Sequence, residues 1–239
     1  MQQSYDVVII GGGVVGSAIA RELSRYKLRI AVLEKESDVC TQTSGRNTGM
    51  LHAGFLYKTG SLKAICAVEG NQEFDQVARE LDVPFKRTGK LIVGFTDEHR
   101  QRLEQFMARG EANGVPGLQV LTGDEARAMD PQLSDKVQAA LYAPTAAICS
   151  PWEYCLALAE TAVRNGAQLH LETQVTGMEK LAEGWLVHTD QGDFTARYVI
   201  NAAGVSADAV HDLALPHDFS IRPSRGEYYL LDNCLLYTS

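Results

Sequence analysis

The fold is decided by the stretch YDVVIIGGGVVGSAIARELSRYKLRIAVLE, residues 5–34. A short, mostly β-branched run ends at Gly11, and a segment with apolar residues at helical spacing follows from Val14 to Tyr26. A second β-type run occupies residues 29–33. This order of strand, turn, helix and strand predicts a βαβ unit with two parallel strands and a right-handed crossover.

The turn between the first strand and the helix has the pattern Gly-x-Gly-x-x-Gly. Gly11 permits the sharp turn, Gly13 lets the backbone approach a pyrophosphate, and Gly16 lets the helix pack close to the strand. The backbone N–H groups at the start of the helix then attract the phosphate charge. The turn therefore predicts a phosphate-binding site.

An acidic residue completes the pattern. Glu34 lies 18 residues after Gly16 at the end of the second strand, where a carboxylate accepts hydrogen bonds from a ribose and repels a 2′-phosphate. Lys35 follows it, and we include it among the cofactor-binding candidates. An ordinary glycine turn and a surface glutamate are the alternative, but strand, glycines, helix, strand and acid together favour a dinucleotide. NAD and FAD share this fingerprint.

Composition excludes several classes of function. The chain has 239 residues, a formal net charge of −8 and no run of about 18 apolar residues, so we expect neither a nucleic-acid partner nor a transmembrane segment. Its five cysteines are scattered, and no Cys-x-x-Cys pair occurs, which argues against a metal site and for a reducing compartment. We expect a cytoplasmic protein, with peripheral association at the inner face of the membrane as an open alternative.

The rest of the chain shows helix starts and a run of strands. Capping residues predict helices beginning near Ser61, Asp97, Thr122 and Ser150. β-type segments are predicted at residues 90–95, 168–171, 174–178, 185–189 and 194–202, and those after the Ser150 helix indicate a β-meander. The apolar residues predicted to line the first two helices are Val15, Ile19, Leu23, Leu62, Ile65, Phe74, Val77 and Leu81. Residues 35–60 are rich in Gly, Ser, Thr and Asn, and so long a connection suggests a function.

Several motifs resemble a known family. They are TSGRNTGMLHAG at 43–54, YKTGSLKA at 57–64, YAPT at 142–145, SPWE at 150–153, NAAG at 201–204 and RPSRGEYY at 222–229. Together they resemble the FAD-dependent oxidoreductases of the D-amino-acid oxidase superfamily, closest to the branch of glycerol-3-phosphate dehydrogenase and L-2-hydroxyglutarate dehydrogenase. The resemblance covers nearly the whole chain and favours FAD over NAD.

The resemblance implies a fold and a domain plan. The fold is α/β, with a Rossmann-like FAD-binding domain of the glutathione-reductase type, including the β-meander, and part of an α+β substrate domain. We expect the FAD-binding domain at 1–83 and 145–215, and the partial substrate domain at 84–144 and 216–233. The family continues past residue 239, so we expect a C-terminally truncated fragment. The tail CLLYTS (234–239) departs from the family and resembles a translated sequencing adapter, with a natural apolar strand as the alternative.

The resemblance also places the cofactor-binding residues. Thr43 and Ser44 would meet the FAD pyrophosphate, and residues 47–51 would run beside the ribityl chain and the isoalloxazine ring. From that stretch we single out Asn47, Gly49, Met50 and Leu51. The backbone of Val175 would contact the adenine, although this residue also suits the core of the meander. Ala203 and Gly204 have the small side chains expected where a strand ends against a nucleotide, or in a simple turn.

Two residues are candidates for catalysis. The resemblance sets His52 near the reactive edge of the flavin, where an imidazole suits removal of a hydroxyl proton. A purely orienting or structural role is the alternative. Arg225 would bind a substrate carboxylate or phosphate through a bidentate contact, or lie solvated at a strand edge.

These residues predict an oxidoreductase that passes a hydride from a small anionic substrate to FAD. Glycerol 3-phosphate is the first choice of substrate, L-2-hydroxyglutarate the second, and an amino acid or amine the third. Quinone, oxygen or a partner protein remain open as the electron acceptor. A catalytically silent FAD-binding fragment is the alternative of another class.

Overall fold

A computed structural model of the protein describes residues 3–227. Its largest unit is a six-stranded sheet with the strand order β10-β11-β12-β1-β2-β9. The strands are β1 (Gln3–Ile10), β2 (Ile30–Leu33), β9 (Gln168–His170), β10 (Val175–Lys180), β11 (Trp185–Thr189) and β12 (Gly192–Asn201). β1 runs parallel to β2 and to β12, and β2 runs parallel to β9, whereas β10, β11 and β12 are joined antiparallel. The α/β fold class and the meander are thus confirmed.

Helices cover one face of this sheet. α1 (Val14–Leu23) and α5 (Pro151–Arg164) pack together there, and the side chains of Val7 and Ile9 lie in the same core cluster as Ala20 and Ala162. Val8 and Ile10 belong to the cluster formed with the meander and α6 (Ala207–Asp212). This alternation along β1 is the period of two that a strand buried on both faces requires.

A second region of the structure comes after the long helix α2 (Leu62–Glu80) in the chain. It contains the three-stranded sheet β5-β7-β6, formed by Lys90–Gly94, Ala139–Ala143 and Gln119–Thr122, with α3 (Asp97–Ala112) and α4 (Gly123–Met129). A short sheet with the order β3-β8-β4 is formed by Met50–Leu51, Ala147–Cys149 and Phe85–Lys86. β3 and β8 join the 35–60 segment to the start of α5.

The predicted helix starts agree with the structure. The hydroxyls of Ser61 and Ser150 accept hydrogen bonds from the N–H groups of Ala64 and Glu153, three residues into their helices. Thr122 and Glu125 form a reciprocal capping box at α4. The predicted helix at Asp97 is capped by the preceding residue, Thr96.

Some details of the sequence-based prediction are wrong. Val15, Leu62 and Ile65 follow the apolar helical spacing, but they are 59%, 79% and 44% exposed, so this spacing alone does not identify the buried face. The buried positions of α1 are the small Gly16, Ser17 and Ala20 together with Arg21, whose guanidinium pairs with Glu22 and Glu80. The run at 168–171 is not part of the meander, because β9 pairs in parallel with β2.

Part of the domain plan lies outside the described residues. The segment 228–233 and the tail 234–239 fall beyond residue 227, and so does the natural-strand alternative for that tail. Within residues 3–227 no helix is long and apolar enough to cross a membrane.

Candidate functional site

The glycine turn is tightly enclosed by backbone. Gly11 has φ +109°, and a Cβ built on it would lie 2.5 Å from the carbonyl oxygen of Ala202. A Cβ on Gly16 would clash with the carbonyl oxygen of Gly11, so the helix can approach the turn only with glycine there. The Ala202 N–H donates to the Ile10 carbonyl at 2.9 Å. The turn and the end of β12 therefore lie against each other.

The start of α1 presents backbone donors at this surface. The Val14 N–H donates to the Ser44 hydroxyl at 3.0 Å, and a Cβ on Gly13 would lie 3.0 Å from the same oxygen. The N–H groups of Val15 and Gly16 belong to the first turn, where a helix has no acceptors of its own. An anion bound here would meet these donors and the positive end of the helix dipole. Ser44 thus lies where the sequence predicts a pyrophosphate contact.

Glu34 is buried beside the turn, with 8% of its surface exposed. Its Oε2 accepts a hydrogen bond of 2.6 Å from the Gly12 N–H, and its Oε1 accepts one of 3.0 Å from the Glu36 N–H. The sequence analysis missed Gly12, whose N–H orients the carboxylate and whose Cβ would lie 3.2 Å from the Glu34 side chain. Lys35 points outward, with its Nζ 3.8 Å from Glu36.

The segment after β2 is held in shape by its own side chains. Residues Thr43–Gly45 form a 3₁₀ turn. The Asn47 amide donates to the carbonyls of Thr43 and Ser44 at 3.2 and 2.8 Å, and its Oδ1 accepts from the Gly49 N–H at 2.8 Å. Gly49 has φ +64°, and a Cβ there would clash with the Cys149 carbonyl oxygen. The bend therefore requires glycine at position 49.

His52 follows directly after β3. Met50 and Leu51 pair with Ile148 and Ala147 in the short sheet, and the accessible His52 ring lies 6.4 Å from the Tyr57 ring, centroid to centroid. Partial burial, and then the positive charges of Lys90 and Lys63, hold the pKa of His52 below its usual value. The Lys63 ammonium itself lies 4.8 Å from the centroid of the Tyr57 ring. His52 thus has one aromatic ring beside it and lies within the electrostatic influence of two cations.

The remaining candidates are Val175, Ala203, Gly204 and Arg225. Val175 begins β10 and lies in the core cluster against which Ala203 packs, and that cluster also contains Leu33 at the end of β2. Gly204 has φ +57° and begins the 3₁₀ turn Gly204–Ser206, which comes after β12. Arg225 is 86% exposed and pairs with Glu227 at 3.5 Å. No hydrogen bond or ion pair in residues 3–227 joins Arg225 to His52.

Comparison with known proteins agrees with this geometry. The profile of the family "FAD dependent oxidoreductase" (DAO) matches residues 6–236. The chain belongs to this family. FAD is the family's cofactor, and the glycine turn and the buried Glu34 fit it, because the start of α1 offers N–H donors to a pyrophosphate and Glu34 offers a carboxylate to a ribose. The assignment made from the sequence motifs, including FAD in place of NAD, is confirmed.

Individual relatives cover two activities. The chain is 43% identical to a glycerol 3-phosphate dehydrogenase of Caloramator mitchellensis, over 95% of this chain and 48% of the relative. It is 31% identical to the mitochondrial L-2-hydroxyglutarate dehydrogenase of Homo sapiens, over 98% of this chain and 54% of the relative. The chain spans about half the length of the curated relatives it matches.

A solved structure shows the same fold. The L-alpha-glycerophosphate oxidase of Mycoplasma pneumoniae, reduced with dithionite and with FAD bound, superposes with a TM-score of 0.86 at 31% sequence identity. The match covers 89% of this chain and 57% of that structure.

Proposed function

We propose that this chain carries the FAD-binding part of an oxidoreductase that oxidises the C–OH group of a small anionic substrate, with glycerol 3-phosphate as the first candidate. The observation that carries the proposal is the position of His52, directly after the strand at the glycine bend and beside Lys63 and Lys90. The 43% identity to a glycerol 3-phosphate dehydrogenase supports the choice of substrate.

The roles proposed for the cofactor-binding residues rest on the family resemblance, with support from the contacts of Ser44 and Glu34. The backbone donors at the start of α1, with Thr43 and Ser44, would hold the pyrophosphate, and Glu34 would accept hydrogen bonds from the ribose. Lys35 would lie at the rim of the ribose site. Val175, Ala203 and Gly204 would border the adenosine half, and Asn47, Gly49, Met50 and Leu51 would border the ribityl chain and the ring.

His52 would hold the proton that the reaction releases. When bound, FAD takes up the two electrons and the hydrogen of the C–H bond as a hydride. The hydroxyl proton of the same carbon then has to leave, and the C–OH group becomes a carbonyl. A histidine with a lowered pKa is neutral at neutral pH, so an imidazole nitrogen of His52 is available to accept that proton.

The charges around His52 favour an anionic substrate. Lys63 and Lys90 lie close enough to lower the pKa of His52, and the same positive potential attracts a phosphate or a carboxylate. Arg225 would be a further cation for the substrate, through a bidentate contact that depends on where residues 222–227 lie in the working enzyme.

We also propose the discontinuous domain plan. All six strands of the large sheet fall within residues 1–83 and 145–215, whereas β5, β6, β7, α3 and α4 fall within 84–144. The core of the second region nevertheless includes Ala53, Phe55 and Val68. The proposed boundary is therefore crossed by packed side chains, and the two parts are expected to unfold together.

L-2-hydroxyglutarate is the second candidate because relatives with that activity cover nearly the whole chain at 31–34% identity. The test is anaerobic addition of each compound to the FAD-loaded protein expressed from its complete gene, with loss of the visible flavin absorbance as the signal. Bleaching by glycerol 3-phosphate supports the proposal. Bleaching by L-2-hydroxyglutarate alone, or by an amino acid alone, would assign that compound as the substrate in place of glycerol 3-phosphate. No bleaching by any of the compounds favours a silent FAD-binding module.

A further inference from the structure

The inner face of α2 carries one polar residue. Its buried positions are Ala64, Val68, Asn71, Phe74 and Ala78, which follow the spacing of a single helical stripe. Asn71 is only 4% exposed. Because a primary amide is costly to bury without partners, a polar residue in this stripe indicates a specific set of hydrogen bonds.

Those hydrogen bonds join two separate segments. The Asn71 Nδ2 donates to the carbonyl of His52 at 3.1 Å and to the carbonyl of Thr145 at 3.0 Å. The ladder between β3 and β8 ends with the pair Leu51 and Ala147. Asn71 therefore continues the connection beyond the last strand pair and fixes the backbone at His52.

Arg87 fixes the amide in turn. Its Nη1 donates to the Asn71 Oδ1 at 3.0 Å and also to the Thr145 carbonyl, and its Nη2 donates to the Asn71 carbonyl at 2.7 Å. Asp75 accepts from the same guanidinium at 2.5 and 2.9 Å. Because a guanidinium has only donors, the Asn71 oxygen must face Arg87 and the NH₂ group must face the two carbonyls.

We propose that Asn71, oriented by Arg87, is a positioning residue that sets the place of the His52 imidazole in the reaction. The inference rests on the catalytic role of His52 put forward above. Asn71 touches the backbone of His52 one bond from its Cα and makes no contact with a reacting atom. The groups that face the imidazole are Tyr57 from the same segment, Lys63 from α2 and Lys90 from β5.

The chain provides a matched control. The Asn113 Nδ2 also donates to two backbone carbonyls of this segment, those of Gly54 and Tyr57, at 3.1 and 3.0 Å. Asn113→Ala therefore removes the same kind of bond two and five residues beyond His52. Both alanine variants are expected to lower the Tm by about 2–8 °C, because Asn71→Ala loses three side-chain hydrogen bonds and Asn113→Ala loses two.

The experiment is a pH titration of the His52 ring by NMR in the FAD-loaded protein, with the signal assigned through His52→Gln. In Asn71→Ala we expect the pKa of His52 to rise toward about 6.5, the value of an unperturbed histidine, because the ring escapes its partly buried site. In Asn113→Ala we expect the wild-type titration. The kcat of Asn71→Ala should fall about tenfold or more with a smaller change in KM, since misplacing a catalytic group costs that much.

A wild-type His52 titration and kcat in Asn71→Ala would overturn the inference, and so would equal effects in Asn113→Ala. If Asn71→Ala does not fold, Arg87→Lys replaces it, because lysine keeps a charge for Asp75 but cannot donate to Asn71 and Thr145 in the same geometry. An unchanged His52 titration there overturns the inference as well. The NMR measurement needs no substrate, so a shifted titration without flavin bleaching contradicts the proposed substrate and not the positioning role.

Discussion

The Oε2 of Glu34 accepts a hydrogen bond of 2.6 Å from the backbone N–H of Gly12. This bond ties the end of β2 to the glycine turn that follows β1, so two points far apart in the sequence share one site. The other oxygen of Glu34 is held by the Glu36 N–H at 3.0 Å. Under the role proposed for Glu34, these hydrogen bonds orient the carboxylate for a ribose before the cofactor arrives.

Glu34→Ala should weaken FAD binding about 10- to 100-fold, because hydrogen bonds to a charged group contribute about 1.5–3 kcal/mol. A fluorescence titration of the apoprotein with FAD measures the Kd. Glu36→Ala is the control, since the Glu36 side chain accepts from Gln42 at the surface. Equal Kd values for the two variants would contradict the assigned role of Glu34.

Gly49→Ala should lower the FAD content and the thermal stability of the protein far more than Gly60→Ala does. Both glycines have positive φ, +64° and +77°, so alanine at either position carries about 1–2 kcal/mol of backbone strain. A Cβ at Gly60 meets nothing within 4 Å, whereas one at Gly49 clashes with the Cys149 carbonyl. Thermal unfolding and the FAD content after gel filtration measure the difference, and matching losses in both variants would argue against a shaped bend.

The pH dependence of turnover should report His52. Its folded-state pKa is below the usual value, so kcat/KM should rise as pH increases through that pKa, with the midpoint of the rise below about pH 6.5. The acidic limb should vanish in His52→Gln, with turnover falling about 10²- to 10⁴-fold. His170, whose pKa is also lowered by burial, is the control, and His170→Gln should keep the profile. An acidic limb that persists in His52→Gln would assign it to another group.

Lys90→Met should raise the KM for an anionic substrate and move the acidic limb to higher pH. Removal of the positive charge lets His52 protonate more easily and lowers the local concentration of anions, and we expect a KM increase of about 5- to 10-fold. The control is Lys58→Met, because Lys58 is an exposed cation in the segment that contains His52. A KM that is unchanged in Lys90→Met, or raised equally in both, would remove Lys90 from substrate attraction.

Local patterns account for what the sequence predicted well. The glycine turn, Glu34 and the capped helices depend on a few neighbouring residues, and the structure agrees at Gly11, Gly16 and Ser150. Packing between distant segments could not be predicted from such local patterns. The burial of Ser17 and Ala20 in place of Val15 depends on how closely α1 approaches its neighbours.

The site residues likewise differ in whether local sequence or long-range packing determines their positions. The role of Gly12 depends on β2 lying beside the turn, and that of Asn71 depends on two segments meeting α2. A polar residue in an otherwise apolar helical stripe was the available signal for Asn71. The motif that contains Arg225 is local, but its distance from His52 depends on long-range packing of residues 222–227.

The most direct test of the account is anaerobic mixing of glycerol 3-phosphate with the FAD-loaded protein from its complete gene, followed through the flavin absorbance. The account predicts rapid bleaching in the wild type and bleaching slowed about 10²-fold or more in His52→Gln, with FAD content unchanged. A wild-type flavin that stays oxidised, or a His52→Gln variant that bleaches at the wild-type rate, would contradict it.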